Sequence, residues 1–159
     1  MESIFKELGE FLKKNHLTIA TSESLTGGML ASSIVDIPGA SAYFKEGFVT
    51  YCNEAKARVL GVKPETLEEF GAISSETAYE MAQGTAKLSG CGVAISTTGN
   101  AGPDCDEDKP AGLVYIGIFI NGNISVFDFR FNGTRENVRR QAASAAAAKC
   151  LELLKEAYA

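Results

Sequence analysis

The chain has 159 residues, of which 45% are hydrophobic and 22% charged, with 15 lysines and arginines against 20 acidic residues. This length suits one domain with its own core, and the ordinary apolar fraction excludes intrinsic disorder. The longest apolar run, 113–120, is too short to span a membrane. The net charge of −5 argues against non-specific binding to nucleic acid. Because the start lacks the basic and apolar regions of a signal peptide, we expect a cytoplasmic protein.

The sequence offers little histidine or cysteine chemistry. Cys52, Cys91, Cys105 and Cys150 form no Cys-x-x-Cys metal or redox motif, and we expect reduced, mostly buried thiols. The one histidine, His16, lies between a predicted helix and a predicted strand. A catalytic triad or metal site built on histidine is therefore not indicated.

Hydrophobic periodicity and capping residues predict the elements in chain order. Helices are expected at 2–15, 26–37, 53–60, 64–70, 74–88 and 134–157, and strands at 18–21, 48–51, 93–97, 113–120 and 125–131. Asn121-Gly122 is a strong turn dipeptide and predicts a hairpin between the last two strands. The alternation of helices and strands predicts one α/β domain over residues 1–159, a three-layer α/β/α sandwich with a mixed, mostly parallel sheet.

The predicted strand-to-helix turn at 21–28 is rich in hydroxyl residues and glycine. Gly27 and Gly28 fall in the first turn of the predicted helix, where each glycine costs roughly 1 kcal/mol relative to alanine. They make sense if an anion approaches the exposed N–H groups of the backbone. The alternative is that Ser24 only caps the helix and that the glycines permit tight packing.

Lys56 occupies an unusual position for a lysine. With Asn53 as the predicted N-cap, it falls at the third helical position, where a capping box would place Glu or Gln. The helix dipole and any burial both disfavour the charged ammonium there, so this lysine is a candidate general base. The alternative is an exposed surface lysine.

Three further segments bear on function. The loop at 97–103 follows a buried strand, where ligands of open α/β sheets bind, although it has no known phosphate-binding pattern. Arg135, Arg139 and Arg140 could bind phosphate or carboxylate, or could form a solvated helix face. The acidic run at 104–108 lacks the glycine and glutamate that an EF-hand requires, so we interpret it as a solvated loop.

Four segments, in order and over nearly the whole chain, resemble the CinA C-terminal domain family. They are 23–28 (Glu-Ser-Leu-Thr-Gly-Gly), 47–56 (Gly-Phe-Val-Thr-Tyr-Cys-Asn-Glu-Ala-Lys), 99–103 (Gly-Asn-Ala-Gly-Pro) and 109–112 (Lys-Pro-Ala-Gly). The resemblance implies a deamidase that converts nicotinamide mononucleotide and water to nicotinate mononucleotide and ammonia, without a metal or nucleotide cofactor. By motif it implies Ser24 as nucleophile and Lys56 as general base, with Tyr51 relaying or stabilising the proton; such a pair needs no histidine.

The remaining site predictions concern substrate binding. We expect it to involve ten residues: Thr26, Gly27, Gly28, Thr98, Gly99, Asn100, Ala101, Gly102, Arg135 and Arg140. Backbone N–H groups of the 21–28 turn or the Gly99 loop would hold the oxyanion. Asn100 replaces an aliphatic residue of the family pattern, and Cys105 and Asp106 replace Gly-Gly, so substrate specificity could differ.

The general-base role makes a geometric prediction. Lys56 should be buried, should have no carboxylate partner, and should place Nζ within hydrogen-bonding reach of Ser24 Oγ or one water molecule away from it. Two other functions stay open: a non-catalytic module that binds a nucleotide or sugar phosphate, and an oligomerisation domain that uses the alanine-rich face at 142–148. We further expect a homo-oligomer, with a dimer favoured, and neither nucleic-acid nor membrane partners.

Overall fold

The computed structural model describes residues 2–159, which form six α-helices and five β-strands. In chain order these are α1 (Glu2–Lys14), β1 (Ile19–Glu23), α2 (Met29–Val35), β2 (Phe44–Val49), α3 (Asn53–Leu60), α4 (Pro64–Phe70), α5 (Ser75–Ser89), β3 (Val93–Gly99), β4 (Leu113–Ile120), β5 (Asn123–Arg130) and α6 (Arg135–Ala157). A single 3₁₀ turn, Ala40–Ala42, precedes β2.

The five strands form one sheet in the order β2-β1-β3-β4-β5. β1 pairs in parallel with β2 and β3, whereas β4 is antiparallel to both of its neighbours, so β4 alone runs against the other four strands. The predicted mixed, mostly parallel sheet is confirmed. In the register, Glu23 lies beside Val49 and Thr97, so the carboxyl ends of the three parallel strands meet at one edge. Ligands of open α/β sheets bind at such an edge.

Helices cover both faces of this sheet. α1, α2 and α6 share one large core with the sheet, and α3, α4 and α5 pack on the other face around a smaller cluster that includes Leu60, Val62, Leu67 and Met81. The predicted three-layer sandwich is therefore confirmed.

The alanine-rich face of α6 lies inside this fold. Ala142, Ala143, Ala146 and Ala147 are fully buried in the large core, where their small side chains let α6 pack closely. Most of the surface that the oligomerisation hypothesis required is thus used within the chain.

Several predicted boundaries are wrong by one to four residues, and three of them bear on the site. α2 begins at Met29 instead of 26, because Gly27 and Gly28 adopt left-handed φ values of 56° and 103°, which no right-handed helix contains. β2 covers Phe44–Val49 instead of 48–51, since pairing with β1 fixes its extent. Asn53 is the first residue of α3 and not its cap, so Lys56 is the fourth helical residue.

Other local predictions are confirmed. Ser74 caps α5 by accepting a hydrogen bond from the Thr77 amide, and Thr134 caps α6 in a capping box with Asn137. Asn121-Gly122 forms the predicted hairpin turn with positive φ at both residues.

The cysteine prediction is only half right. All four cysteines are free, as expected, but Cys52 and Cys105 are exposed and only Cys91 and Cys150 are buried. Burial raises the pKa of the Cys150 thiol to about 12. Of the helices in the described part of the chain, none combines the length and apolar character that crossing a bilayer requires.

Candidate active site

A cavity of about 340 Å³ opens at the carboxyl edge of the parallel strands. This volume is in the range of small-molecule sites. Its walls come from the segments that follow β1, β2 and β3, from α3, and from the start of α6. The lining residues are Ser24, Leu25, Tyr51, Cys52, Asn53, Lys56, Ala72, Ile73, Thr98, Gly99, Asn100, Ala101, Asp106, Glu107 and Arg135.

Ser24 lies at the floor of this cavity, one residue beyond β1. Its amide donates to the carbonyl of Thr97 at 3.0 Å, which continues the β1–β3 ladder past the end of the strand. The serine backbone is therefore held by the sheet, while the hydroxyl lines the cavity. Only 7% of the residue is exposed.

Lys56 reaches the same hydroxyl from the first turn of α3. Its Nζ donates to Ser24 Oγ at 3.1 Å and to the carbonyl of Thr50 at 3.0 Å. The residue is 1% exposed, and among the described residues no carboxylate lies within 4.0 Å of Nζ. Glu54 pairs instead with Arg58 on the outer surface of α3, at 3.6 Å. The predicted burial, the predicted absence of a carboxylate partner and the predicted proximity to Ser24 are all seen.

The surroundings of Lys56 lower the pKa of its ammonium group. Burial is the main cause, because the charged form loses its hydration. The charges of Cys52 and Glu107 act in the opposite direction and raise this pKa, but the net effect remains a decrease. In the neutral amine, one N–H can donate to the Thr50 carbonyl while the nitrogen lone pair accepts the Ser24 hydroxyl proton.

Two charged residues hold the turn after Ser24: Glu23, for which the sequence predicted no role, and Arg139, which it offered as a candidate phosphate ligand. The carboxylate of Glu23, 1% exposed, accepts from the amides of Leu30 (2.8 Å) and Ala31 (3.0 Å) at the N-terminus of α2. Arg139 of α6 donates from Nε to the Leu25 carbonyl at 2.9 Å and from Nη2 to the next carbonyl at 3.0 Å. An acid seven residues before the amides it caps is not a recognisable sequence signature, which is why Glu23 was missed.

The predicted anion site at the 21–28 turn is not supported by this arrangement. Thr26, Gly27 and Gly28 do not line the cavity, and Thr26 Oγ1 instead shares a hydrogen bond with Thr97 Oγ1 at 2.8 Å. Glu23 already occupies the first α2 amides. The two glycines are explained by their left-handed backbone.

The end of β3 and the loop after it contribute four of the five substrate-binding residues that were predicted there. Thr98, Gly99, Asn100 and Ala101 line the cavity, whereas Gly102 contributes only a carbonyl, which accepts from Arg135 at 2.7 Å. The Asn100 amide nitrogen donates to the Lys109 carbonyl at 3.2 Å, and its oxygen accepts from the Gly102 amide at 3.1 Å. Both ends of this side chain are thus used to hold the loop together.

Of the predicted arginines, only Arg135 lines the cavity. Its Nη2 donates to the hydroxyl of Tyr51 at 3.0 Å, and Tyr51 is 60% exposed. Tyr51 therefore lies at the open side of the cavity and is bonded to Arg135. Arg140 lies outside the lining and pairs with Glu136 at 2.7 Å, one helical turn away, so its predicted contact with substrate is not supported.

The sequence predicted that the acidic run at 104–108 is a solvated loop. This prediction is incomplete, because part of the run lines the cavity. Asp106 and Glu107 line the cavity, and Glu107 accepts from the amides of Ala72 (2.8 Å) and Ile73 (2.9 Å). This contact crosses 34 residues of sequence, and no local pattern signals it. The histidine, His16, lies in an exposed turn after α1 and does not line the cavity. Within the described residues, no cluster of three or more His, Cys, Asp or Glu could hold a metal.

The sequence of this chain is similar to a known protein family and to several of its members. The family model described as CinA C-terminal domain matches residues 1–156. A CinA-like protein of Kosmotoga olearia is 48% identical over 143 residues, and a Clostridium novyi protein described as competence-damage inducible is 52% identical over 134. These matches cover 89% and 84% of this chain but 35% and 32% of the relatives, so the chain spans about a third of their length.

Solved structures match over the whole chain. A competence-damaged protein (CinA) superfamily protein from Klebsiella pneumoniae superimposes with a TM-score of 0.96 at 35% identity, covering 98% of both chains. A competence/damage inducible protein from Agrobacterium tumefaciens gives a TM-score of 0.92 at 36% identity, covering 97% of this chain and 94% of that one. Sequence and overall fold therefore agree, and the chain belongs to the CinA C-terminal domain family.

Proposed function

We propose that this chain is an amidohydrolase that converts nicotinamide mononucleotide and water to nicotinate mononucleotide and ammonia through a Ser24–Lys56 pair. One observation carries the proposal: a lysine that is 1% exposed, without a carboxylate partner in the described chain, directs Nζ at a serine hydroxyl 3.1 Å away. Burying an unpaired cation is costly, and a fold retains such a group where the neutral amine has a use. The family resemblance supplies the substrate.

In the first step, neutral Lys56 accepts the proton of Ser24 Oγ while that oxygen attacks the carboxamide carbon. The Thr50 carbonyl holds one N–H of the amine and so orients its lone pair. The sheet fixes the serine backbone through Thr97. Because nucleophile and base are already in contact, little reorganisation precedes the attack.

The oxyanion of the tetrahedral intermediate needs hydrogen-bond donors at the cavity wall. Leu25 and Ala101 line the cavity, and within the described part of the chain the backbone amide of neither donates to an acceptor. Leu25 directly follows the nucleophile, and Arg139 holds its carbonyl in place. One donor of this kind contributes about 3–4 kcal/mol to transition-state stabilisation.

The second step releases the products. Protonated Lys56 gives its proton to the leaving nitrogen, the C–N bond breaks, and ammonia departs. A water then attacks the acyl-enzyme with Lys56 again as base, which frees Ser24 and leaves the carboxylate of the product.

The 5′-phosphate of the substrate is assigned to the open side of the cavity. Arg135 and Tyr51 lie there, bonded to each other, and a guanidinium binds a phosphate in a bidentate manner. In this assignment Tyr51 binds substrate, and the proton relay expected of it stays a prediction.

The decisive experiment incubates the purified chain with nicotinamide mononucleotide and measures ammonia and nicotinate mononucleotide together. Equimolar release of both, lost in Ser24→Ala, is the expected result. Binding of the mononucleotide without ammonia release would instead favour the non-catalytic module that binds a nucleotide or sugar phosphate.

A further inference from the structure

Glu107 carries a negative charge that the proposed mechanism does not use. Its two carboxylate oxygens accept from the Ala72 and Ile73 amides at 2.8 and 2.9 Å, and each bond is charge-assisted. Gly71 makes room for this contact, since a Cβ built there would stand 2.5 Å from Oε1 of Glu107. The carboxylate is therefore held in one place and one orientation on the cavity wall.

The same cavity contains two basic side chains. Lys56 and Arg135 line it, and neither forms a salt bridge with Glu107 or with any other described carboxylate. The cation nearest to Glu107 is Lys109, at 3.8 Å, which does not line the cavity and donates to the Phe70 and Ile73 carbonyls. The charge of Glu107 is nevertheless felt at Lys56, because it raises the pKa of that ammonium.

Amide hydrolysis changes the charge of the bound molecule. The C–N bond breaks, a C–O bond forms, and a neutral carboxamide becomes a carboxylate, with no change in oxidation state. The new anion forms next to Ser24, and the proton that the acid loses can pass to Lys56, whose Nζ lies 3.1 Å from Ser24 Oγ. Arg135 lines the same cavity. Attraction between unlike charges in a partly buried site would hold the acid more tightly than the amide.

We propose that Glu107 determines selectivity for the neutral carboxamide over the corresponding acid, and thereby promotes release of the acid product. This inference rests on the proposed function. The fixed carboxylate repels an anion and leaves a neutral amide almost unaffected, so only after the reaction does it offset the pull of Arg135 and of protonated Lys56. Glu107 would thus limit product inhibition without taking part in bond making.

The test measures KM for nicotinamide mononucleotide and the inhibition constant of nicotinate mononucleotide, with the full chain. In Glu107→Gln, the ratio of inhibition constant to KM should fall about tenfold, because the acid binds more tightly. Lys109→Met removes the cation beside Glu107 and should raise the ratio. Asp104→Asn changes an exposed acid of the same loop that does not line the cavity, and should leave the ratio unchanged.

The two variants are expected to change this ratio in opposite directions, which distinguishes an effect of charge from a loosening of the loop. A loosened loop would change the ratio of inhibition constant to KM in the same direction in Glu107→Gln and Lys109→Met. That result overturns the inference, and so does an unchanged ratio in Glu107→Gln. If Glu107→Gln does not fold, Lys109→Met decides alone: a raised ratio supports the inference and any other result overturns it. If the unaltered chain releases no ammonia, the proposed function fails and this inference fails with it.

Discussion

The floor and the acidic wall of the cavity are held in place by different means. At the floor, Ser24 is fixed by a main-chain bond to β3, and Lys56 sits in a helix and bonds a carbonyl at the end of β2. The acidic wall, formed by the loop at 103–110, is mostly exposed and is fastened by the side chains of Glu107 and Lys109. Main-chain bonds depend little on which side chains are present, whereas side-chain bonds depend on them entirely.

This difference separates two kinds of role. A floor built on the sheet can position reacting groups to within tenths of an ångström, as catalysis requires. A wall built on a surface loop tolerates sequence change and so can adjust which molecule binds. Substitutions at the floor should therefore affect the rate of reaction most, and substitutions at the walls should affect binding, selectivity and pH dependence.

The largest effect is expected at the floor. Ser24→Ala or Lys56→Met should each lower kcat for nicotinamide mononucleotide by about 10³-fold or more, because each removes one partner of the reacting pair. Ammonia release under saturating substrate measures this, and circular dichroism checks that the variants fold. Lys63→Met, at an exposed lysine before α4, is the matched control. Near-normal turnover in either site variant would remove the pair from the mechanism.

The next effect is expected at the open side of the cavity. Arg135→Ala should raise KM for the mononucleotide by about 10- to 100-fold with a smaller change in kcat, since a bidentate phosphate contact is lost. Nicotinamide riboside, which lacks the phosphate, should be a far poorer substrate of the unaltered chain. Steady-state kinetics with both substrates measures the difference.

Arg140→Ala provides the control for Arg135, because Arg140 lies in the second turn of the same helix but pairs with Glu136 outside the cavity. It should change KM by less than about twofold, since exposed pairs contribute little. Equal efficiency with riboside and mononucleotide would show that no phosphate pocket exists.

A smaller effect is expected on stability. Lys56→Met should raise the free energy of unfolding at neutral pH by about 1 kcal/mol, because a buried site no longer holds an ionisable amine, even though the Thr50 carbonyl loses a donor. Chemical denaturation of both proteins measures the difference. A less stable variant would mean that the lysine's hydrogen bonds outweigh the cost of burying it.

The sign of the pH dependence follows from the lowered pKa of Lys56. The unfolded chain keeps the lysine proton up to about pH 10.4, while the folded chain releases it at lower pH. Between those two values the unfolded state binds more protons, so the stability of the unaltered chain rises with pH there. Lys56→Met should lack this rise, and the stability difference between the two proteins should shrink as pH increases.

The smallest effect concerns the pH–rate profile. Activity should rise with pH as Lys56 loses its proton, and Glu107→Gln should shift this rise to lower pH, because a charge that raises the pKa of Lys56 is removed. The other ionisable or charged groups in the cavity are Tyr51, Cys52, Asp106 and Arg135. Profiles of kcat for both proteins, with Asp104→Asn as control, measure the shift. A shift to higher pH would contradict this account.

Local sequence predicted most of the helices and strands but not their boundaries near the site. Ser74, Thr134 and Asn121-Gly122 act within a few residues, so caps and hairpin were predictable. The start of α2 was not, because Gly27 and Gly28 satisfy a helical pattern yet adopt φ values that only the folded turn reveals. β2 was misplaced since it is an edge strand whose extent follows from pairing with β1.

The sequence by itself determined that this is an α/β chain and singled out Lys56, because a lysine in the first turn of a helix departs from local preference. Ser24 was assigned as nucleophile only through the family resemblance, since a serine before a helix is by itself an ordinary cap. The tertiary structure decided which other residues accompany them. Arg135 and Glu107 reach the cavity through bonds to residues 84 and 34 or more positions away, and Thr26, Gly27, Gly28 and Arg140 lie outside it. Such long-range contacts depend on the packing of whole elements, which sequence spacing does not encode.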